Sequence, residues 1–248
     1  MALAHRALED AGPSPGIVYH TESDYDAALD EALAPHREGD DLWLFAFGSL
    51  IWKPEVAYTE ERIATAHGWH RSFCLKISRW RGTTDRPGLM MALDRGGQCQ
   101  GMLYRIEGHT VKAQLGKVFR RELFAKPPNN MPRWLTVKTN HESVRALAFV
   151  MNRKGGAYVG RLAPEQVADK LAEACGHLGS CAEYLYNTVS HLEARGIPRQ
   201  QPLAVTASCR RAPFGHLSQW TDFTLTHPPR GRGLACPAAR LRCSATSA

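Results

Sequence analysis

The sequence predicts an α+β protein built on a mostly antiparallel or mixed sheet that can close into a small barrel, with helices flanking it. Three observations lead there. The chain has 248 residues with 44% hydrophobic content, enough to bury a sizeable core. Apolar runs with strand character crowd the first half of the central region, and helical patterns crowd its end. Strands and helices do not alternate regularly, which argues against a doubly wound parallel sheet.

Along the chain the reading divides into three zones. Residues 1–40 form an expected N-terminal appendage with one helix, "SDYDAALDEALAPH", in which Ser23 suits the N-cap, acids fill the first turn and Pro35 marks the stop. Residues 41–198 hold the expected main domain. Strand-like runs fall at 42–47, 69–78, 88–93, 99–106, 134–139 and 144–151, and helical patterns at 109–124, 163–175 and 181–194. Residues 199–248 lose periodicity and gather Pro, Arg, Ser and Gly in "HPPRGRGLACPAARLRCSATSA", a composition expected to stay disordered.

Charge and cysteine usage exclude several function classes. The net charge is +7 and the pI about 9.2, but from Arg199 onward seven arginines face one acid, Asp222. The rest of the chain is therefore nearly neutral, and no specific nucleic-acid surface is expected on the folded part. No apolar run nears the roughly 20 residues of a membrane span, and Glu9 and Asp10 stand where an export signal would be apolar, so no membrane is expected as a partner. Cys74, Cys99, Cys175, Cys181, Cys209, Cys236 and Cys243 are an odd set without a repeated CxxC, as suits reduced thiols and a cytoplasmic location. Neither "HGWH" (His67, His70) nor "CGHLGSC" (Cys175, His177, Cys181) supplies a full ligand set, so no metal is expected.

Two local features carry chemistry. In "LFAFGSLIWKP" (44–54) a buried-strand pattern breaks at Gly48-Ser49 and resumes with Leu50, Ile51 and Trp52. Glycine inside such a run marks a turn, or a place where a ligand approaches the backbone. In "HTVKAQLGKVFRRELF" (109–124), Val111, Leu115 and Val118 form one apolar stripe, and the next member of that stripe is Glu122. A carboxylate on the core-facing side is either ion-paired at the helix end, with Arg120 or Arg121, or a general base whose pKa burial has raised. Trp52, Trp69, Trp80 and Trp134 suit core or pocket wall, and Arg79, Arg81 and Arg86 in "SRWRGTTDRPG" are either solvated or available to a carboxylate.

Taken in order, "FAFGSLIWKP", "RPGLMMALDRGGQCQGMLYRI", "FRREL", "PRWLTVKT", "VRALAFVMNRKGGAYVG" and "CGHLGSCAEYLYNTVSHLEARGI" resemble the ChaC family of glutathione-specific γ-glutamylcyclotransferases over residues 42–197. The resemblance implies a γ-glutamylcyclotransferase-like fold, a small β-barrel flanked by helices. It also implies cleavage of glutathione to 5-oxoproline and cysteinylglycine without a cofactor. The family's glycine loop, which holds the γ-glutamyl group, maps onto Phe47, Gly48, Ser49 and Leu50, followed by Ile51 and Trp52. Its acid/base glutamate maps onto Glu122. Phe47 stands where the family usually has Tyr, "FAKPPNNMPRW" lacks a tyrosine expected before the Pro-Arg-Trp strand, and the resemblance stops after "HLEARGI".

The residue types fit the implied reaction. Glutathione carries its own nucleophile, because its α-amine can close a five-membered ring on the γ-carbonyl. The protein need add only a base for the amine, an acid for the leaving nitrogen, and N–H donors for the oxyanion or the α-carboxylate. The same scaffold without catalysis, as a binding or regulatory protein, is the rival class, and another γ-glutamyl amide is the rival substrate. Oligomeric state is not legible in the sequence.

Overall fold

The structure, a computed structural model, describes residues 8–198. The expectation for residues 199–248 lies outside the described residues. The described elements run β1 (Val18–Tyr19), α1 (Glu22–Leu33), β2 (Leu42–Ala46), β3 (Glu60–Ile77), β4 (Gly88–Ile106), α2 (Val111–Glu122), β5 (Ala125–Lys126), β6 (Asn130–Lys138), β7 (Ser143–Met151), α3 (Pro164–Glu173), β8 (Cys175–Gly176), β9 (Gly179–Ser180) and α4 (Cys181–Ala194).

Five strands close into a barrel in the order β2-β4-β3-β6-β7, and the barrel shuts through a parallel pairing of β2 with β7 at Trp43↔Ala146 and Leu44↔Leu147. The other pairings are antiparallel. This is the mixed sheet that the order of strands and helices led us to expect.

Why the strand sequences read as almost unbroken apolar runs is visible in which way their side chains point. On β2, Phe45 joins the barrel interior with Leu103, Val137, Ala146 and Val150, while Leu42, Leu44 and Ala46 face the helices with Tyr104, Leu147 and Phe149. Strands covered on both faces bury both of their period-two sets. The helices that cover the outer face bring Val111, Leu115, Val118 and Phe119 from α2, Leu171 from α3, and Tyr184, Leu185 and Leu192 from α4.

Three sequence expectations need correction. The runs 88–93 and 99–106 are one strand, β4, because the polar 94–98 stretch stays paired to β3 through His67↔Gln98, Trp69↔Arg95 and His70↔Asp94. β3 begins at Glu60, well before residue 69, and bends at a bulge between His67 and Trp69 where Gly68 takes φ +79. The N-cap of α1 is Thr21 rather than Ser23: Thr21 Oγ1 accepts from the Asp24 N–H (3.3 Å) and Asp24 Oδ2 accepts from the Thr21 N–H (2.7 Å), a reciprocal capping box.

Part of the described stretch of the expected N-terminal appendage touches the domain. Leu29 of α1 is buried in the same cluster as α2, and β1 pairs with β5. No helix among the described residues is long and apolar enough to cross a membrane.

Candidate active site

The glycine loop leaves the barrel at the end of β2. Phe47 turns its ring into the barrel interior, and Leu50 and Ile51 are buried on the helical side, so the side chains of these three residues serve packing. Gly48 is buried with them, and of the loop only Ser49 and Trp52 are partly exposed. A 3-10 turn, Ser49–Ile51, holds its shape through Ile51 N–H to Gly48 O (2.9 Å) and Lys53 N–H to Ser49 O (2.9 Å). Tyr104 Oη donates to Ile51 O (3.2 Å), and Trp52 Nε1 donates to Thr188 Oγ1 on α4 (3.1 Å). Gly48 has φ −130 and ψ −129, outside the helical, extended and left-handed regions. Its missing side chain matters for space: a Cβ there would stand 3.4 Å from Tyr184 Oη.

Glu122 closes α2, at the end of the stripe that flagged it. Its side chain is 15% exposed, and Oε2 accepts from Asn130 Nδ2 at 3.0 Å. Burial pushes its pKa above the ordinary carboxyl value, and the charge of Glu55 pushes the same way. The charge of Arg121 and the Asn130 hydrogen bond pull against this without cancelling it.

One side chain joins the two features. Arg121 Nη2 donates to Ser49 Oγ (2.7 Å), Nη1 donates to Lys53 O (2.7 Å), and Nε lies 3.6 Å from Glu122 Oε1. Sequence reasoning named Arg120 and Arg121 as alternative partners of Glu122. Arg120 turns instead to Glu22, with Nε–Oε2 at 2.9 Å. Ser49 and Glu122 therefore meet the same guanidinium, although they stand 73 positions apart in the chain.

Other candidates find different employment. Arg79 pairs with Asp10 (2.8 Å), and Arg81 donates to Ser180 O (2.8 Å) and pairs with Glu183 (2.8 Å). Trp134 Nε1 donates to Ala32 O (2.8 Å), which ties β6 to α1. Among the described residues, no three His, Cys, Asp or Glu side chains converge as metal ligands do. A cavity of about 450 Å³ is lined by Trp69, Arg95, Met131, Arg133 and Arg153 with their neighbours. It contains no carboxylate, so it lacks the acid/base group that Glu122 provides.

Four residues of the site escaped the sequence reading: Asn130, Glu55, Tyr184 and Arg71. Tyr184 is fully sequestered, and burial together with the charge of Glu122 pushes its hydroxyl up to about 12, so it stays neutral over the physiological range. Each reaches the site from a different part of the chain, so no spacing in the sequence links them.

The barrel, the loop after its first strand and the buried glutamate after its first covering helix define a protein of the γ-glutamylcyclotransferase fold. A crystal structure of the yeast γ-glutamyl cyclotransferase specific to glutathione superposes with a TM-score of 0.60, covering 69% of this chain and 95% of that one at 19% identity. The ChaC-like protein family matches residues 42–205, and the chain belongs to that family. It is similar to the glutathione-specific γ-glutamylcyclotransferase of Escherichia coli K12, at 33% identity over 172 residues that make up 69% of this chain and 74% of that protein. It is also similar to the human glutathione-specific γ-glutamylcyclotransferase 1, at 27% identity over 167 residues, 65% of this chain and 75% of that one.

Proposed function

We propose that this protein cleaves glutathione to 5-oxoproline and cysteinylglycine, with Glu122 as the acid/base and the loop of Phe47, Gly48, Ser49, Leu50, Ile51 and Trp52 as the γ-glutamyl seat. The observation that carries the reading is the Arg121 guanidinium, which ties the Ser49 hydroxyl and the Glu122 carboxylate into one site. The names of the similar proteins supply the substrate class.

The steps follow from the chemistry of these groups. The neutral α-amine attacks the γ-carbonyl with its lone pair to close the five-membered ring, and Glu122, ionised, takes the proton that the nitrogen sheds as the bond forms. The same proton then goes to the amide nitrogen of cysteinylglycine, and the C–N bond breaks. A carboxyl pKa raised by burial suits both transfers, since neither protonation state is too stable near neutrality. The Gly48 and Ser49 amides and the Ser49 hydroxyl hold the γ-glutamyl end. Arg121 fixes the distance between that end and the base, and such positioning governs whether the amine meets the carbonyl in line.

The test is incubation of the purified protein with glutathione, scoring 5-oxoproline and cysteinylglycine together. Both products in equal amounts support the reading, and neither product at generous enzyme concentration rejects it. A γ-glutamyl amide of a different amine, run in parallel, separates specificity for glutathione from specificity for the γ-glutamyl end alone.

A further inference from the structure

Arg71, on β3, is completely buried, and among the described residues no carboxylate compensates its charge. The ionisable groups that act on it are Cys99 and Tyr184, neither of them an acid at neutral pH. Its Nε donates to the carbonyl oxygen of Phe47 at 2.6 Å, a second nitrogen donates to the Gln100 carbonyl, and Nη1 is buried with no hydrogen-bond partner. A permanent cation in such a place is costly, and its field reaches further than it would in water.

The Phe47 carbonyl is one end of a peptide unit whose other end is the Gly48 N–H. A guanidinium that donates to the carbonyl polarises that unit and makes the Gly48 N–H a stronger donor. We propose that Arg71 is the positioning residue that turns the Gly48 loop into a seat for the α-carboxylate of a γ-glutamyl substrate. It pins the Phe47–Gly48 peptide and stands as an uncompensated positive charge behind it.

The inference rests on the γ-glutamyl reading and specifies which substrate group the loop takes. A permanent charge calls for a permanent partner. The α-carboxylate is charged from the moment of binding, whereas the oxyanion exists only in passing. The α-carbon also bears the amine, so seating the carboxylate on the loop aims the amine toward Glu122.

The experiment compares 5-oxoproline with pyrrolidin-2-one, the same ring without its carboxylate. Both are titrated by NMR against the wild-type protein, Arg71→Lys and Arg71→Met, and glutathione turnover is measured on the same preparations. The wild type should prefer 5-oxoproline by about tenfold or more, the scale of a charge-assisted hydrogen bond. Arg71→Met should reduce that preference to near unity with pyrrolidin-2-one binding little changed, Arg71→Lys should keep part of it, and KM for glutathione should rise more than kcat falls. A preference that survives in Arg71→Met, equal loss of both ligands, or an effect confined to kcat overturns the proposal. If Arg71→Met does not fold, the wild type decides: the Arg71 Nε–H resonance must shift with 5-oxoproline and not with pyrrolidin-2-one. A wild type that passes the binding test but leaves glutathione intact removes the cyclotransferase reading and keeps the carboxylate seat; an active wild type with no preference does the reverse.

Discussion

The guanidinium of Arg121 donates to the hydroxyl of Ser49 at 2.7 Å while its Nε stands 3.6 Å from the carboxylate of Glu122. Arg121 thus both braces the glycine loop and adjusts the base. Its positive charge lowers the pKa of Glu122, partly offsetting the effect of burial. Removing the charge in Arg121→Met should therefore raise that pKa further and move the acid limb of the kcat/KM profile to higher pH. Arg121→Lys keeps a charge but loses the fork to Ser49 and Lys53, so its limb should lie nearer the wild type while its rate falls on the order of 10²-fold, as misplaced reacting groups do. Identical limbs in wild type and Arg121→Met would confine Arg121 to bracing.

Gly48 offers a test of access to the loop. An added Cβ would meet Tyr184 Oη at 3.4 Å, a tight contact rather than a clash. Gly48→Ala should fold with a loss of about 1 kcal/mol or less, yet its methyl group occupies the space in front of the loop backbone. KM for glutathione should rise while the thermal midpoint hardly moves. Wild-type KM in a well-folded Gly48→Ala protein would take the Gly48 face out of the substrate site.

The packing of α1 is testable by stability. Leu29 is 3% exposed and sits in the cluster that also holds Leu115 and Phe119 of α2. Leu29→Ala should cost about 2–5 kcal/mol, as buried leucine truncations do. Denaturant melts of the whole protein should show the loss in a single transition. A midpoint equal to that of the wild type would show that α1 adds nothing to the stability of the core.

How much of this was legible beforehand depended on whether the signal was local. Glu122 could be found because helical periodicity places residues 111, 115, 118 and 122 on one stripe, and the structure buries the first three of them. The loop could be found because Gly-Ser interrupts an apolar strand. The role expected of the Phe47, Leu50 and Ile51 side chains was not legible, since an apolar residue beside a site and one facing away from it look alike in sequence. Asn130, Tyr184 and Arg71 reach the loop or Glu122 across the fold, from β6, α4 and β3 respectively, and no spacing links them. β4 read as two runs because Arg95, Gly96, Gly97 and Gln98 are exposed: the strand stays paired there while both of its faces are uncovered.

Glu122→Gln separates catalysis from structure on a single preparation. Gln keeps the shape of Glu, and its amide oxygen can still accept from Asn130, but it cannot take up and return a proton near neutrality. Positioned acid/base catalysis is worth about 10²–10⁴-fold, so turnover of glutathione should fall by at least that order while 5-oxoproline binds with similar affinity. Stability should move the other way. The carboxyl pKa is raised in the folded protein, chiefly by burial, so the folded state holds this proton more tightly than the unfolded chain does. The stabilisation that this gives is present below the unfolded carboxyl pKa and is lost as pH rises through the folded value, so at neutral pH the ionised Glu122 weighs against folding. Gln mimics the protonated form at every pH. The Gln variant should therefore melt above the wild type at neutral pH, and the gap should close as pH falls into the ordinary carboxyl range. A structural Glu122, held as the ion-pair partner of Arg121, makes the opposite forecast of a lower midpoint at neutral pH with turnover nearly intact. Turnover and melting curves recorded across that pH range decide between them.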